Sequence, residues 1–375
     1  MSVKVSIINC GQYDETLVRQ AVTRAVDSLG GWSAFVQPGD LVLLKPNMIG
    51  PRSPEQAATT HPVVVKAIVQ ILQELGCTVW IGDSAGGAIG GLAPTAQAFT
   101  ACGYTQVAAE TGALLKNFDA AGTFPVTSKV ITFRKGYHLA APPFEADVVI
   151  NLPKLKTHSA ALYTGALKNL FGLVPGLFKA EFHRQAPTNE EFAKVIADIN
   201  LNTPVQLTIM DAIVGMEGAG PTAGTPREVG LVLASTDRVA LDVIAARLIG
   251  LDPQAVPIIN IAGQQGLGEL AAEKITIVGD YQEQPRLDGY RLPPGRNYNP
   301  RLAKFFLNVV VRMLKRRPEV DQASCRRCNI CVENCPVQAI DPETRKIDYG
   351  TCIECLCCHE LCPHSSVALV RRWYR

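Results

Sequence analysis

Nine of the twelve cysteines lie between Cys325 and Cys362, and eight of them repeat one spacing. "CRRCNICVENCP" and "CIECLCCHELCP" both read C-x-x-C-x-x-C-x-x-x-C-P, first at Cys325, Cys328, Cys331 and Cys335, then at Cys352, Cys355, Cys358 and Cys362. Three thiolates at three-residue steps wrap one face of a compact cluster. The prolines that follow, Pro336 and Pro363, turn the chain away. Zinc knuckles use pairs of cysteines, not a triplet followed by Cys-Pro. The run is the signature of bacterial 4Fe–4S proteins. A disulfide scaffold is the alternative for so dense a tail, but no secretion signal supports it.

Residues 321–369 closely resemble a bacterial two-cluster ferredoxin, which implies two 4Fe–4S clusters and exchange of the fourth cysteine between motifs. Carried over, one cluster takes Cys325, Cys328, Cys331 and Cys362, and the other takes Cys352, Cys355, Cys358 and Cys335. Cys357 is off-register and is expected to be a spectator. Such a pair passes single electrons.

The rest of the chain sets weaker bounds. At 375 residues it has room for two or three domains. A net charge of +2 gives no global drive toward nucleic acid or an anionic membrane. The opening "MSVKVSIINCGQYDETLV" puts charges into its first apolar run, unlike a signal peptide. No stretch reaches the ~18 consecutive apolar residues of a spanning helix. The expectation is a cytoplasmic protein. Cys10, Cys77 and Cys102 sit singly in apolar runs, as small buried hydrophobes do.

Before Arg296, short β-branched runs such as "VKVSIIN", "LVLLKPN", "TVWIGDS" and "VQLTIMD" alternate with helical stretches such as "VVVKAIVQILQELG". That alternation predicts an α/β fold with a mostly parallel sheet flanked by helices, followed by a small α+β ferredoxin-like module. Ligands of such sheets sit past the carboxyl ends of the strands. The predicted strand ends carry Lys45 and Asn47, followed by Arg52 and His61, and then Asp83 and Ser84 within "GDSAGGAIGG". That turn resembles a phosphate cradle but lacks a Walker lysine, and a plain tight turn is the simpler reading.

The densest constellation is "NLPKLKTHSAALYTGALKNLFG". In an extended chain Lys154, Lys156 and His158 point to one side, and Pro153 places them at the sheet rim. A helix over "AALYTGALKNLF" would present Lys168 and Asn169, with Lys179 and His183 shortly after. Buried lysines require negative partners; otherwise their stems lie along apolar surface with the ammonium groups in water. Asp211 ends a strand, and Glu217 and Gly218 lie in the glycine-rich loop beyond it. Asp242, among apolar neighbours on a helix capped at Ser235, Thr236 or Asp237, needs a partner, with those lysines as candidates. The expected catalytic set is Lys154, Lys156, His158, Lys168, His183 and Asp211. Lys45, Asn47, Asp83, Ser84, Asn169, Glu217 and Gly218 complete the ligand rim.

The phrases "LLKPN", "GDS", "NLPKLKTHSAALYTGALKNLFG" and "DAIVGMEGAGPTAGTP" resemble the domain-of-unknown-function 362 family over roughly residues 1–285. The likeness implies an iron–sulfur protein and supplies little mechanism. The first half is loosely similar to the N-terminal domain of nickel-dependent lactate racemase, through the "KPN…R" strand end and the "GDS" turn.

Three segments are expected: an α/β domain at 1–295, a basic amphipathic linker helix at 296–320, and the two-cluster ferredoxin domain at 321–375. The linker's apolar stripe packs on its own domain, with membrane-surface contact through 301–317 the less favoured alternative. The leading functional reading is an oxidoreductase relaying electrons between a partner ferredoxin or reductase and an anionic small molecule. A carrier or assembly module without chemistry of its own is one alternative. A nucleotide- and magnesium-dependent electron-delivery protein is the other.

Overall fold

The computed structural model describes residues 2–86, 94–176, 178–293 and 316–371. Most of the predicted linker helix and part of the glycine-rich turn lie outside them. The strands are β1 (Val3–Asn9), β2 (Leu41–Pro46), β3 (Thr78–Asp83), β4 (Leu114–Asn117), β5 (Thr123–Thr127), β6 (Gly136–Ala140) and β7 (Val148–Leu152). They continue with β8 (Lys154–His158), β9 (Leu162–Thr164), β10 (Leu207–Glu217), β11 (Thr225–Ser235), β12 (Ile275–Gly279), β13 (Arg316–Val320) and β14 (Val367–Arg371).

One ten-stranded sheet runs β12-β1-β11-β10-β7-β2-β3-β4, with β8 pairing β10 and β9 pairing β8. All neighbours from β10 to β4 are parallel, as expected for the alternating pattern, while β11 is antiparallel to both β1 and β10. Alternation along β2 shows why helices cover both faces. Leu43 enters one core with residues of helices Asn189–Asn202 and Arg238–Leu248. Val42 and Leu44 enter the other with helices Glu15–Asp27 and Pro62–Glu74. The last of these begins on Pro62 and is followed by Gly76 at φ +84°, so its sequence punctuation does what it should.

Between β2 and β7 the chain order reverses direction across the sheet: β2 leads to β3 and β4, β7 to β10. A crevice forms at such a switch point, beyond the strands' carboxyl ends.

Three expectations need correction. Residues 160–171 are not one helix: β9 comes first, then Gly165, a short helix Ala166–Asn169 and a 3-10 turn Leu170–Leu173. The cause is Asp242, whose carboxylate accepts Ala166 N at 2.7 Å, Leu167 N at 3.0 Å and Tyr163 Oη at 2.9 Å. That carboxylate therefore starts a new helix at Ala166, and its partners are these donors rather than a lysine. The C-terminal module also begins earlier than 321. Arg316–Val320 is strand, antiparallel to β14 from Arg316↔Arg371 to Val320↔Val367.

The module lies against the α/β body. Arg52 Nη2 donates to Cys362 O at 2.7 Å, and Thr222 Oγ1 donates to Glu360 O at 2.8 Å. Among the described residues no helix is long and apolar enough to cross a membrane.

Candidate functional site

At the switch point, Lys45 on β2 and Asp83 on β3 form an ion pair of 2.8 Å, with side chains 0% and 2% exposed. Asp83 also accepts Met48 N at 2.9 Å and Ser84 N at 2.8 Å, so its charge has donors on two sides. Burial holds the Lys45 ammonium below its ordinary pKa, opposed by Asp83. Gly172 lies against the pair, where any side chain would collide with both partners. Asn169 ties the strand ends together: its Nδ2 donates to Asn151 Oδ1 at 2.8 Å, and its Oδ1 accepts Asn47 Nδ2 at 3.0 Å.

The alternating residues of β8 have separate environments. Lys154 pairs with Asp211 at 2.8 Å and donates to Tyr13 Oη at 2.6 Å. Tyr13 stacks on His61 with ring centroids 3.6 Å apart, and Asp211 Oδ2 accepts His61 N at 2.9 Å. This closed network is away from the crevice, and Asp211 orients a lysine within it. Lys156 donates to Ala58 O at 2.6 Å and reaches the crevice. His158 accepts Ala160 N and Ala161 N on Nδ1 at 3.1 and 3.0 Å, which places its proton on Nε2, 3.3 Å from Glu360 Oε1. Lys154, Lys156 and His158 are each 1% exposed, so neither a rim position nor lysines with their heads in water describes them. Glu217 pairs with Arg291 at 2.7 Å, and Gly218 N donates to Arg291 O; neither residue reaches the crevice.

A half-open cavity fills the crevice. The body contributes Lys45, Lys156, Lys168 and Lys179 to its walls, along with Asn47, Asp83, Ser84, Asn169 and His183. Lys179 donates to Ser84 Oγ at 2.5 Å and Ser84 O at 3.2 Å; burial lowers its pKa to about 8 against the pull of Asp119 and Asp83. Thr164 Oγ1 is buried there without a hydrogen-bond partner among the described residues. Burial and then Lys168 push His183 down to about 3, where it packs flat on Phe192 at 4.4 Å. Burial also holds His158 well below its ordinary value. Both imidazoles are therefore neutral near pH 7, and neither carries the spare proton of an imidazolium.

The remaining wall was missed by the sequence reading: Asn334, Cys357, Glu360 and Leu361 come from the C-terminal module. Burial pushes the Glu360 carboxyl up, and Lys168 and Lys156 pull it down. Cys357 is buried in this wall. Its off-register position was the only signal that it faces elsewhere.

The module repeats its backbone with its spacing. Left-handed φ values at Arg327, Asn329 and Gln338 recur at Glu354, Leu356 and Ser365. Ala339 N donates to Cys335 Sγ at 3.1 Å, and Ser366 N donates to Cys362 Sγ at 3.2 Å. Non-glycine residues hold such φ only where something repays the strain, and successive N–H groups turned inward make an anion-binding nest. Cys325, Cys328, Cys331 and Cys362 line one small cavity. Arg345 Nε and Nη1 are buried in the wall of that cavity with no hydrogen-bond partner among the described residues. Cys358 lies in the electrostatic field of Cys355, Cys352, Cys331 and Cys335. Thiolate donors, inward N–H groups and unpaired guanidinium N–H groups fit an anionic iron–sulfur cluster. Among the described residues no acid, cysteine or histidine group converges for a single metal ion.

Comparison with known proteins agrees with this division. Residues 42–247 match the family described as "Domain of unknown function (DUF362)", and residues 317–340 match a 4Fe-4S binding domain. Thylakoid-associated protein sll1697 from Synechocystis sp. is 34% identical over 305 residues, covering 78% of this chain and 88% of its own length. The lactate racemase apoprotein from Thermoanaerobacterium thermosaccharolyticum superposes at a TM-score of 0.39 with 12% identity, over 64% of this chain and 56% of that chain. At that level the racemase carries no argument about this site. The chain belongs to the DUF362 family and bears an iron–sulfur domain after its α/β body.

Proposed function

We propose that this protein is an oxidoreductase with two 4Fe–4S clusters, exchanging single electrons between a redox partner protein and an anionic small molecule in the crevice. The observation that carries the reading is the shared cavity. Lys156 and Lys168 form one side of it, and Asn334 and Cys357, the chain neighbours of Cys335 and Cys358, form the other. A ligand held by the lysines thus lies beside the cysteine set Cys352, Cys355, Cys358 and Cys335. Cys325, Cys328, Cys331 and Cys362 would hold the second cluster. When bound, the clusters supply one-electron transfer.

The protein's own groups bind and orient the ligand. Lys156 has only the Ala58 carbonyl as a hydrogen-bond acceptor among the described residues. Burial lowers Lys156 well below its ordinary pKa and Lys168 below it, with Glu360 pulling both back up; while protonated, these two and Lys179 offer charge to a carboxylate or phosphate. Glu360 balances Lys156 and Lys168 when the cavity is empty of ligand. Met48, Ile49 and Phe171 supply an apolar flank that excludes water. The relative's name ties that protein to thylakoids; for this chain, the site of action is left to its partner.

The test is Lys168→Ala in anaerobically purified full-length protein, read by cluster absorption and by thermal shift across a set of carboxylates and phosphates. The expected result is unchanged absorption and loss of whichever ligand shift the parent shows. A parent with no shift across the set would favour the carrier reading, and a shift that survives Lys168→Ala would remove the lysines from binding.

A further inference from the structure

The two halves of the module share one backbone plan but differ in charge. The first run carries Arg326, Arg327 and Glu333 between its cysteines, and the second carries Glu354 and, in the place of Glu333, Glu360. Arg345 is the buried cation of the first lobe. It is 4% exposed and lines the cavity of Cys325, Cys328, Cys331 and Cys362. Its Nη2 bonds Asn329 Oδ1 and reaches Arg327 O at 3.5 Å, which fixes the plane of the guanidinium. Nε and Nη1 remain buried and unpaired. No acidic side chain is among the described residues lining that cavity. A guanidinium cannot lose its proton to escape this burial, so its partner is an anion.

The same place in the 27-residue repeat is Arg372, which lies outside the described residues; among the described residues the second lobe's charge is set by Glu354. Glu354 N donates to Cys352 Sγ at 3.4 Å, but the Glu354 carboxylate brings negative charge, paired by Arg317 at 3.1 Å. Glu360 faces the lysines of the cavity rather than leaving a free cation beside this lobe.

We propose that Arg345 donates its Nε and Nη1 protons to the iron–sulfur anion held by Cys325, Cys328, Cys331 and Cys362, and makes this lobe the more easily reduced of the two. Reduction adds one negative charge, and a fixed cation with N–H donors stabilises that added charge. The electron then rests on the lobe where Cys328 is exposed, rather than on the lobe beside the crevice. Arg326, Arg327 and His364 are exposed around the same cysteines, so a partner with an acidic face would meet the reduced end. Arg345 acts here as a positioning and tuning residue. The proposal rests on the two-cluster reading.

The experiment is a potentiometric titration, monitored by electron paramagnetic resonance, of anaerobically purified full-length protein with its iron and acid-labile sulfide counted. The parent should show two separated midpoints. Arg345→Gln should lower the higher midpoint and leave the other in place, and Arg345→Lys should lower it less. The exposed double variant Arg326→Glu with Arg327→Glu should move the same midpoint the same way, which assigns that midpoint to this lobe, and Arg345→Lys decides the matter if Arg345→Gln loses iron. Full iron content with both midpoints unmoved, or movement of the lower midpoint alone, would overturn the role of Arg345. A parent with iron and sulfide for only one cluster would instead overturn the two-cluster reading.

Discussion

The ion pair between Lys45 and Asp83 gives the most direct check on the crevice. At 2.8 Å, and with an effective dielectric of about 20, the attraction is about 6 kcal/mol. Desolvating both groups offsets much of it, so the pair as a whole contributes little to stability, while stranding one member is costly. Lys45→Met keeps the volume and leaves Asp83 with Met48 N and Ser84 N as donors. Asp83→Asn leaves the ammonium with the Pro46 carbonyl at 2.9 Å and Asn169 Oδ1 at 3.5 Å. Each single change should cost about 3–5 kcal/mol, and the double variant less than the sum by at least about 2 kcal/mol. The pH dependence adds a signed test. Burial holds Lys45 below 10.5, so between its folded pKa and that value the unfolded chain binds more protons. Stability contributed through this group therefore rises with pH in that window, and the deficit of Asp83→Asn should shrink toward pH 10. Urea unfolding followed by far-ultraviolet circular dichroism reads all three variants. Single changes below about 1 kcal/mol, or strict additivity in the double, would refute a buried, coupled pair.

Other expectations follow from the same geometry. Gly172→Ala places a methyl 2.7 Å from Lys45 Nζ and against Asp83, so it should lower stability by about 1–3 kcal/mol; an unchanged melting curve would mean the wall is looser than described. Lys179 titrates at about 8, so affinity for sulfate, whose own charge is constant, should fall about tenfold from pH 7 to pH 9 by calorimetry. A flat profile would take Lys179 out of the anion field. Burial raises Asp242 from 3.8 to about 7, so the folded chain binds more protons across that interval and loses on the order of 4 kcal/mol as pH rises through it. Asp242→Asn should flatten that slope in urea titrations at pH 4 to 7. Arg52→Ala removes the bond to Cys362 O and should speed proteolytic separation of the module from the body, with no change expected in the isolated ladder of β13 and β14.

Much of the architecture was legible because it is local. β-branched runs, Pro62 at a helix start and Gly76 after its end are read within a dozen residues. The cysteine repeat is local too, and its positive-φ positions fall on the same repeat. The failures are long-range. The break at Gly165 depends on Asp242, and Lys154 depends on Asp211, 57 residues away. A lysine beside leucines reads as either snorkelling or ligand-binding until its aspartate is found in space. For Lys45 and Lys154 that partner exists within the body, and neither is a free cation.

Lys156 and Lys168 differ from those two in a way that bears on function. Among the described residues, the carboxylate felt by both is Glu360, which the module delivers from the far end of the chain. Burial lowers both ammonium groups, Lys156 furthest, and Glu360 pulls both back up, with Asp83 of the body adding to it at Lys156. Docking the module both encloses these two groups and supplies the carboxylate that faces them. In the proposed function an anionic ligand would compete with Glu360 for the same two ammonium groups, so ligand and carboxylate oppose each other there. Separated, the body would present its crevice cations to water, where they lose most of their strength as an anion site.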